Sequence, residues 1–286
     1  MEKLNAAITI ESKPLIQSVP VMAERTDIAA NPSDQVRVVG PDDCVKAAEC
    51  LAEAFMNDDV AKYFIFTESG SPKTWNPETL WLHRKICEYL VSAHYMKGLV
   101  TIAGPNYDSV ALWMPPGTDI DDWLTMFKSG MWRLRYQLSA EGCKRFFTEF
   151  LPLLSKTKAA ALGADDNNSW YLVYLGTKPG SERKGYARAL IEMVTQQADA
   201  EGLKCYLESS HKKNLDFYKR RGFEELALSK IYLTRDKSKS IELDIMVRNP
   251  QAKEVESPTA HSGDLEKRDA ANGVHPNAVA NPTTAT

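Results

Sequence analysis

An apolar strand, a glycine-containing turn and a helix follow one another between residues 170 and 201, and this unit constrains the fold most strongly. Residues 170–177 are apolar on both faces, which is typical of a strand in the centre of a sheet. Pro179 cannot continue a strand ladder, while Gly180 and Gly185 allow unusual dihedrals and close backbone approach. The rest of the segment predicts a helix. Such a unit belongs to a domain in which helices pack against a central sheet.

The turn of this unit also has the features of an anion-binding site. The start of a helix presents unpaired N–H groups and the positive end of the helix dipole, which together suit a pyrophosphate. Lys178, Arg183 and Lys184 add cationic side chains. Neither the P-loop pattern Gly-x-x-x-x-Gly-Lys-Ser/Thr nor the dinucleotide pattern Gly-x-Gly-x-x-Gly is present. Taken alone, the turn fits an ordinary strand–helix connection equally well.

A second segment, residues 214–223, places a polar and a phenolic side chain on one helical face. Asn214 and Tyr218 are four residues apart, so they share that face. A phenol in this position can protonate a leaving thiolate as a general acid. The same spacing also fits a core tyrosine whose hydroxyl is satisfied, and the residues alone leave both interpretations open.

Together the two segments resemble the GNAT superfamily of N-acetyltransferases. The acetyl-CoA motif of that superfamily, Gln/Arg-x-x-Gly-x-Gly/Ala after a long strand, corresponds to residues 182–187, and its later Asn-x-x-x-Tyr before an Arg-Gly-Phe turn corresponds to residues 214–223. The first motif position is Glu182 rather than Gln or Arg, and a carboxylate there repels a pyrophosphate. Three further stretches resemble puromycin N-acetyltransferase-like members, namely residues 51–55, 110–113 and 207–210.

The resemblance implies a mixed α/β domain with the GNAT acyl-CoA N-acyltransferase fold and a helical insertion. Strands are predicted at 36–39, 99–103, 109–113, 170–177, 204–209, 223–228, 230–234 and 241–247, and helices at 41–57, 77–95, twice within 119–162, at 184–201 and at 214–221. Residues 159–168 are expected to form a loop, and 235–240 a hairpin loop. The domain spans 35–249 with the insertion at about 117–165. Residues 1–34 and 250–286 are polar and Pro-rich or Ala-rich, which predicts disordered tails.

Composition gives no reason to expect a nucleic-acid, membrane or metal partner. The net charge is −3, no run of about 18 apolar residues occurs, and the N-terminus lacks a secretory signal. Five scattered cysteines without a Cys-x-x-Cys pair predict neither a disulfide framework nor a zinc site. We expect a cytoplasmic monomer or homodimer, and the sequence does not exclude that part of the protein is nuclear.

The resemblance also implies acetyl-CoA as co-substrate and assigns roles to individual residues. The pyrophosphate is expected on the backbone N–H groups of Arg183, Lys184, Gly185, Tyr186 and Ala187. The strand residues Leu175, Gly176 and Thr177 are expected beside the acetyl group, where the N–H of Leu175 or Thr177 polarises the carbonyl. Asn214 would contact the pantetheine arm, and Tyr218 would be the general acid. Glu208 is the first candidate for the base and Glu53 the second, although Glu208 also fits a surface ion pair.

The acceptor is predicted from the insertion, where the resemblance is weakest. Trp113, Trp123 and Phe127 are expected to line a pocket for a bulky or aromatic amine, with a plain core role as the alternative. His211 precedes two lysines and is expected in a solvated loop. The favoured function is direct acetyl transfer, in a ternary complex, to a puromycin-like or other xenobiotic or secondary-metabolite amine. Acetylation of a protein or peptide, and a non-catalytic acyl-CoA-binding module, remain the alternatives.

Overall fold

A computed structural model describes residues 36–67, 74–232 and 241–251, with the backbone alone at 227–232. All of them lie within the first of the chain's two units, Met1–Ala252. The predicted disordered tails lie outside the described residues, apart from Pro250 and Gln251. The predicted hairpin loop at 235–240 also lies outside them.

Seven strands form one sheet in the described part of the chain. They are β1 (Arg37–Val38), β2 (Leu99–Ala103), β3 (Ser109–Met114), β4 (Ser169–Thr177), β5 (Lys204–Ser209), β6 (Glu224–Tyr232) and β7 (Glu242–Arg248). Their order across the sheet is β1-β2-β3-β4-β5-β7-β6. Neighbours are antiparallel except for β4 and β5, which run parallel.

Helices cover both faces of this sheet. They are α1 (Cys44–Ala54), α2 (Asp59–Ile65), α3 (Pro77–Lys97), α4 (Trp123–Ser129), α5 (Leu134–Gln137), α6 (Ala140–Cys143), α7 (Leu151–Leu162), α8 (Tyr186–Glu201) and α9 (Leu215–Lys219), with a π-helical stretch at Lys144–Phe150. Because side chains alternate along a strand, Val110 and Leu112 pack with α1, α3 and the insertion, whereas Ala111 and Trp113 pack with α8 and α9. Two separate hydrophobic cores result.

The predicted mixed α/β class is confirmed, while several boundaries differ. The predicted strands 223–228 and 230–234 are one strand, β6, and the insertion is a series of short helical segments rather than two helices. The predicted loop 159–168 is wrong in its first part, since α7 continues to Leu162 through three alanines that favour helix. A single turn of 3-10 helix, Gly163–Asp165, follows it.

The sequence interpretation does not predict helix α2, although the sequence contains a residue typical of a helix start. Asp58 caps it, because its Oδ1 accepts hydrogen bonds from the backbone N–H groups of Val60 at 2.9 Å and Ala61 at 3.1 Å. An aspartate before an apolar run is the usual signature of such a cap. The helix is short, seven residues, which makes its periodicity hard to see.

Strands β4 and β5 pair only at their beginnings. The parallel ladder runs from Ser169 and Lys204 to Leu172 and Leu207, and then stops. On the other edge of β4 the pairing with β3 shifts by one residue, so that Val173 is left opposite no partner as a bulge. From this point the two strands diverge, and a gap opens in the middle of the sheet.

Gly176 lies on the divergent part of β4, in close contact with α1. A Cβ atom at this position would lie 2.9 Å from Ala54 Cβ and 3.0 Å from both Leu51 Cδ2 and Phe55 Cε2. These distances are shorter than ordinary van der Waals contact, so only glycine lets the helix approach the strand this closely.

We expect Gly176→Ala to lower the free energy of unfolding by about 1 to 2 kcal/mol, because the added methyl overpacks this contact. Urea denaturation measures the change. Gly40→Ala is the matched control, because its Cβ would meet only Asp43 Oδ2, at 3.6 Å, and its φ is −90°. That variant should stay within about 0.5 kcal/mol of the parent. Equal stability of the two variants would contradict the close-packing argument.

Candidate active site

The gap between β4 and β5 leads into one continuous cleft of about 1540 Å³. Its wall includes the end of β4, the residues that follow it, the end of β5, and parts of α1, α3 and the insertion. The predicted residues Glu53, Leu175, Gly176, Thr177, Arg183, Gly185, Tyr186, Ala187, Glu208, Asn214 and Tyr218 all line it. Lys184 is not among the lining residues.

The turn between β4 and α8, residues 178–185, is attached to the β2–β3 hairpin. Asp108 Oδ1 accepts a hydrogen bond from Ser181 Oγ at 2.7 Å, and Asp108 O accepts one from Lys178 N at 2.8 Å. Burial opposes ionisation of Asp108, yet the hydrogen bonds from Ser181 and Asn106 N outweigh it and lower the pKa of the carboxyl. The turn is therefore held in one conformation before any ligand binds.

The backbone of this turn presents a row of free donors. Gly185 has φ of 89° and Arg183, unusually for a residue with a side chain, has φ of 63°. Gly185 is the N-cap of α8 and provides no side-chain acceptor. No described residue accepts a hydrogen bond from the backbone N–H groups of residues 183–187. These groups, with the helix dipole behind them, fit a pyrophosphate.

Glu182, which departs from the family motif, is turned back onto the start of this turn. Its Oε2 accepts a hydrogen bond from Gly180 N at 2.7 Å. Hydrogen bonds from its own backbone N–H and from that of Gly180 lower the pKa of the carboxyl. The carboxylate thus has a local partner, and it leaves the N–H groups of residues 183–187 unobstructed.

Glu208, near the end of β5, is a titratable group of the cleft with a strongly shifted pKa. Tyr171 Oη donates a hydrogen bond to Glu208 Oε2 at 2.7 Å. The phenol of Tyr206 lies near the carboxyl, but its geometry does not make a hydrogen bond to the buried Oε1. Burial raises the pKa of Glu208 to about 7, although the hydrogen bond from Tyr171 opposes the shift. A carboxylate of this kind exchanges a proton readily near neutral pH.

Tyr218, on α9, is 7% exposed and borders the same cleft. Its ring packs edge-on against Phe217 and Phe223, with ring centroids 5.3 Å and 5.9 Å away. Burial raises the pKa of the phenol well above its ordinary value. The hydroxyl is therefore protonated at neutral pH, and no described residue hydrogen-bonds to it, so it is available as a donor.

A polar group that the sequence interpretation missed lines the cleft next to the end of β5. Asp58, 5% exposed, accepts a hydrogen bond on Oδ2 from Ser210 Oγ at 2.6 Å, and His211 Nε2 lies 3.8 Å from the same oxygen. All three residues line the cleft. The solvated-loop prediction for His211 is thus wrong in part, because one edge of the ring faces this buried carboxylate.

The predicted acceptor wall needs correction, since none of its three aromatic residues lines the cleft. Trp113 is fully buried on the other face of the sheet, against Trp170 at a centroid distance of 6.4 Å. Trp123 and Phe127 are 79% and 62% exposed on the outside of the insertion. Phe127 stacks there on Trp132, with ring centroids 6.0 Å apart.

Other apolar residues form that wall instead, and they come from α2, α3, the insertion and α7. They are Val60, Phe64, Ile86, Leu90, Ile120, Phe146, Phe150, Leu151 and Leu154. Phe64 contacts Phe146 and Phe150 edge-on, with ring centroids 5.1 Å and 5.0 Å away. Only long-range packing brings these segments together, so no local sequence signal could have identified the set.

In the described part of the chain, His, Cys, Asp and Glu side chains nowhere gather in threes as a metal site requires. No helix among the described residues combines the length and apolar character needed to cross a membrane.

Comparison with known proteins gives matches along this fold. Residues 134–223 match the Acetyltransferase (GNAT) family. Over 209 residues, 73% of this chain and 81% of the relative, the sequence is 44% identical to the uncharacterized N-acetyltransferase C550.08 of Schizosaccharomyces pombe. A solved structure described as histone acetyltransferase HPA2 and related acetyltransferase, from Corynebacterium glutamicum, is 22% identical with a TM-score of 0.48, covering 77% of this chain and 98% of its own. Arylalkylamine N-acetyltransferase 2 from Aedes aegypti is 15% identical with a TM-score of 0.49, covering 76% and 99%.

The family match and the 44% identical relative define an acyltransferase. The chain belongs to the GNAT acetyltransferase family, because the 44% identical relative is matched over four-fifths of its length. Its reaction is the transfer of an acetyl group to an amine. Members of this family use acetyl-CoA, and the turn at residues 178–185 fits its pyrophosphate.

We expect Gly185→Asp to weaken acetyl-CoA binding by at least about 100-fold, or roughly 2.7 kcal/mol. The variant adds a side chain at φ of 89° and a negative charge beside the free N–H groups. Isothermal calorimetry with acetyl-CoA measures the change.

Two matched variants separate the causes. Gly185→Ala imposes the same backbone strain without the charge, and should lose less affinity than Gly185→Asp. Glu182→Gln removes an exposed charge that is tied to Gly180, and should change the affinity by less than about threefold. Parent-like affinity in Gly185→Asp would rule out this turn as the pyrophosphate site.

Proposed function

We propose that this protein acetylates the amine of a small molecule, with acetyl-CoA and the amine bound at the same time. Candidate acceptors are puromycin-like amines and other xenobiotic or secondary-metabolite amines. The observation that carries the proposal is the continuity of the cleft, which extends from the free N–H groups of residues 183–187 to an apolar chamber behind β4. Two substrates in one cleft need no covalent intermediate on the protein, and positioning alone supplies much of the rate.

Bound acetyl-CoA supplies the thioester whose acetyl group is transferred. The backbone N–H groups of Arg183, Lys184, Gly185, Tyr186 and Ala187 hold its pyrophosphate. The edge of β4 that faces β5 has no strand partner beyond Leu172, so the N–H of Leu175 or Thr177 is free to polarise the acetyl carbonyl. Asn214 lines the same part of the cleft and orients the pantetheine arm.

Glu208 is the proposed general base. It lines the cleft, its Oε1 has no partner among the described residues, and its raised pKa matches the proton that an attacking amine must lose. Tyr171 donates to the other oxygen and so fixes the direction in which Oε1 points. Glu53 is the second candidate, because it also lines the cleft, although α1 leaves it exposed.

Tyr218 is the proposed general acid toward the leaving thiolate. The phenol keeps its proton at neutral pH because burial raises its pKa, and its hydroxyl is free to donate. Its position on α9, in the wall of the cleft that the turn also lines, supports the assignment. Acid and base thus belong to different elements, which suits a reaction in which one proton is lost and another is gained.

The apolar wall of the cleft favours a small molecule as acceptor, because small-molecule sites are lined mainly by apolar side chains. The test is an assay of CoA release with acetyl-CoA and two panels, one of small apolar primary amines and one of lysine-containing peptides. We expect turnover with members of the first panel. Turnover with peptides alone would favour protein acetylation, and donor binding without turnover on either panel would mark a binding module.

We expect kcat/KM to rise with pH through about 7 and then level off, because Glu208 must be deprotonated to accept a proton. This rise occurs at a lower pH than the rise caused by deprotonation of the amine substrate near its own pKa. Glu208→Gln should lower kcat by about 100-fold or more and remove the limb near 7.

Tyr218→Phe is the matched comparison for this profile. It should lower kcat and leave the affinity for acetyl-CoA unchanged, yet retain the limb near 7, because Glu208 is intact. Persistence of the limb in Glu208→Gln would transfer the role of base to another group, with Glu53→Gln as the next variant.

A further inference from the structure

One face of helix α3 lines the cleft, and this stripe of side chains begins and ends with a histidine. The stripe consists of His83, Ile86, Cys87, Leu90 and His94, and all of them line the cleft. Their spacing places them on a single helical face. Apart from the two imidazoles and one thiol, the stripe is apolar, so its polar atoms are few and their hydrogen-bonding roles can be assigned.

The imidazole of His94 is fixed in one tautomer. His94 is fully buried, and its Nδ1 lies 2.8 Å from Leu90 O. A carbonyl oxygen can only accept, so Nδ1 carries the hydrogen and donates it. Burial lowers the pKa of His94 to about 4, so the ring is neutral at physiological pH. Its Nε2 therefore carries a lone pair and no hydrogen, so it can only accept a hydrogen bond.

No described residue satisfies this lone pair. His94 Nε2 is buried without a hydrogen-bond partner, although the residue lines the cleft. An unpaired buried polar atom destabilises a protein, and natural structures contain few of them. At the edge of a cleft, such an atom indicates a partner that arrives with a ligand.

His83, at the other end of the stripe, is also a buried imidazole with one nitrogen left as a hydrogen-bond acceptor. It is buried, and its Nε2 donates to Ala52 O at 2.8 Å, which leaves Nδ1 as an acceptor. Burial lowers the pKa of this imidazole as well. The α3 stripe thus offers hydrogen-bond acceptors and apolar surface. The charges of Asp58 and Arg84 act on His83, whereas no charged group among the described residues acts on His94.

We propose that the chamber beside α3 is a distal subsite for the acceptor, in which His94 Nε2 accepts a hydrogen bond from a neutral hydroxyl or amide N–H remote from the reacting amine. The proposal rests on the function proposed above and narrows its substrate class to amines that carry a second, uncharged donor. A second ammonium would have to lose its hydration among apolar residues, which is costly, so a neutral donor is favoured.

The test uses three series of primary amines that increase stepwise in chain length. They are amino alcohols, n-alkylamines with the same number of heavy atoms, and the O-methyl ethers of the amino alcohols. Calorimetry with the CoA-loaded protein gives the affinity of each. At the chain length that reaches His94, we expect the amino alcohol to bind about tenfold more tightly than the alkylamine, because only its hydroxyl pairs with the buried lone pair. The ether, which has an oxygen but no donor, should bind no better than the alkylamine.

Two variants of the stripe make the assignment specific. His94→Leu removes the lone pair and should abolish the preference for the amino alcohol, or reverse it. Leu90→Met, one turn earlier on the same face, changes packing while conserving volume, and should keep the preference. A thermal shift with acetyl-CoA confirms that each variant retains the donor site.

The outcomes are distinct for the inference and for the function on which it rests. Turnover of any amine with acetyl-CoA tests the function, whereas the binding preference tests the subsite. Equal affinity of amino alcohol and alkylamine at every length, or an unchanged preference in His94→Leu, would overturn the inference. So would the absence of binding by all three series. If His94→Leu fails to fold, the ranking of the three series by the parent protein still decides the question.

Discussion

The parting of β4 and β5 is the constraint on which the site depends. The two parallel strands share a ladder only as far as Leu172 and Leu207, and beyond that point each leaves one backbone edge unpaired. A sheet normally closes such a gap. Here the bulge at Val173 and the close packing of Gly176 on α1 direct β4 away from its neighbour. The unpaired edge becomes the floor of the cleft instead of a structural defect.

The chemically active groups follow from this divergence. Ligands in open α/β sheets bind where the carboxyl ends of the strands separate, because loops from both strands surround the gap. The end of β4 continues into the turn with the free N–H groups, and the end of β5 carries Glu208 and then Ser210 and His211. Asp58, at the start of α2, joins the second group by accepting from Ser210. One irregularity in the sheet thus brings a donor site and a proton-transfer site together.

The family resemblance supplied the candidates Glu208 and Tyr218, whereas local pattern predicted the turn and most of the strands, because each is encoded within a few residues of sequence. Local pattern could not predict the acceptor wall. The strand that carries Trp113 is apolar on both faces, so the sequence does not reveal which core receives the indole. Trp123 and Phe127 suggested a pocket by their chemistry, whereas helix packing turns them to the outside. The wall itself depends on contacts between α2, α3 and the insertion, which are distant in sequence.

Unpaired polar atoms are informative here only in combination with the cleft. Trp113 Nε1 is also buried without a partner, yet Trp113 does not line the cleft, so its cost is a matter of stability alone. His94 Nε2 and Glu208 Oε1 share that cost and do border the cleft. Apolar replacements at these two positions would relieve the cost in the free protein. Arg221 Nε, a donor, is also unpaired at the cleft. His94 Nε2 and Glu208 Oε1 can only accept while Glu208 is ionised, which argues that the acceptor substrate brings donors to these two positions: the amine at one and a neutral donor at the other.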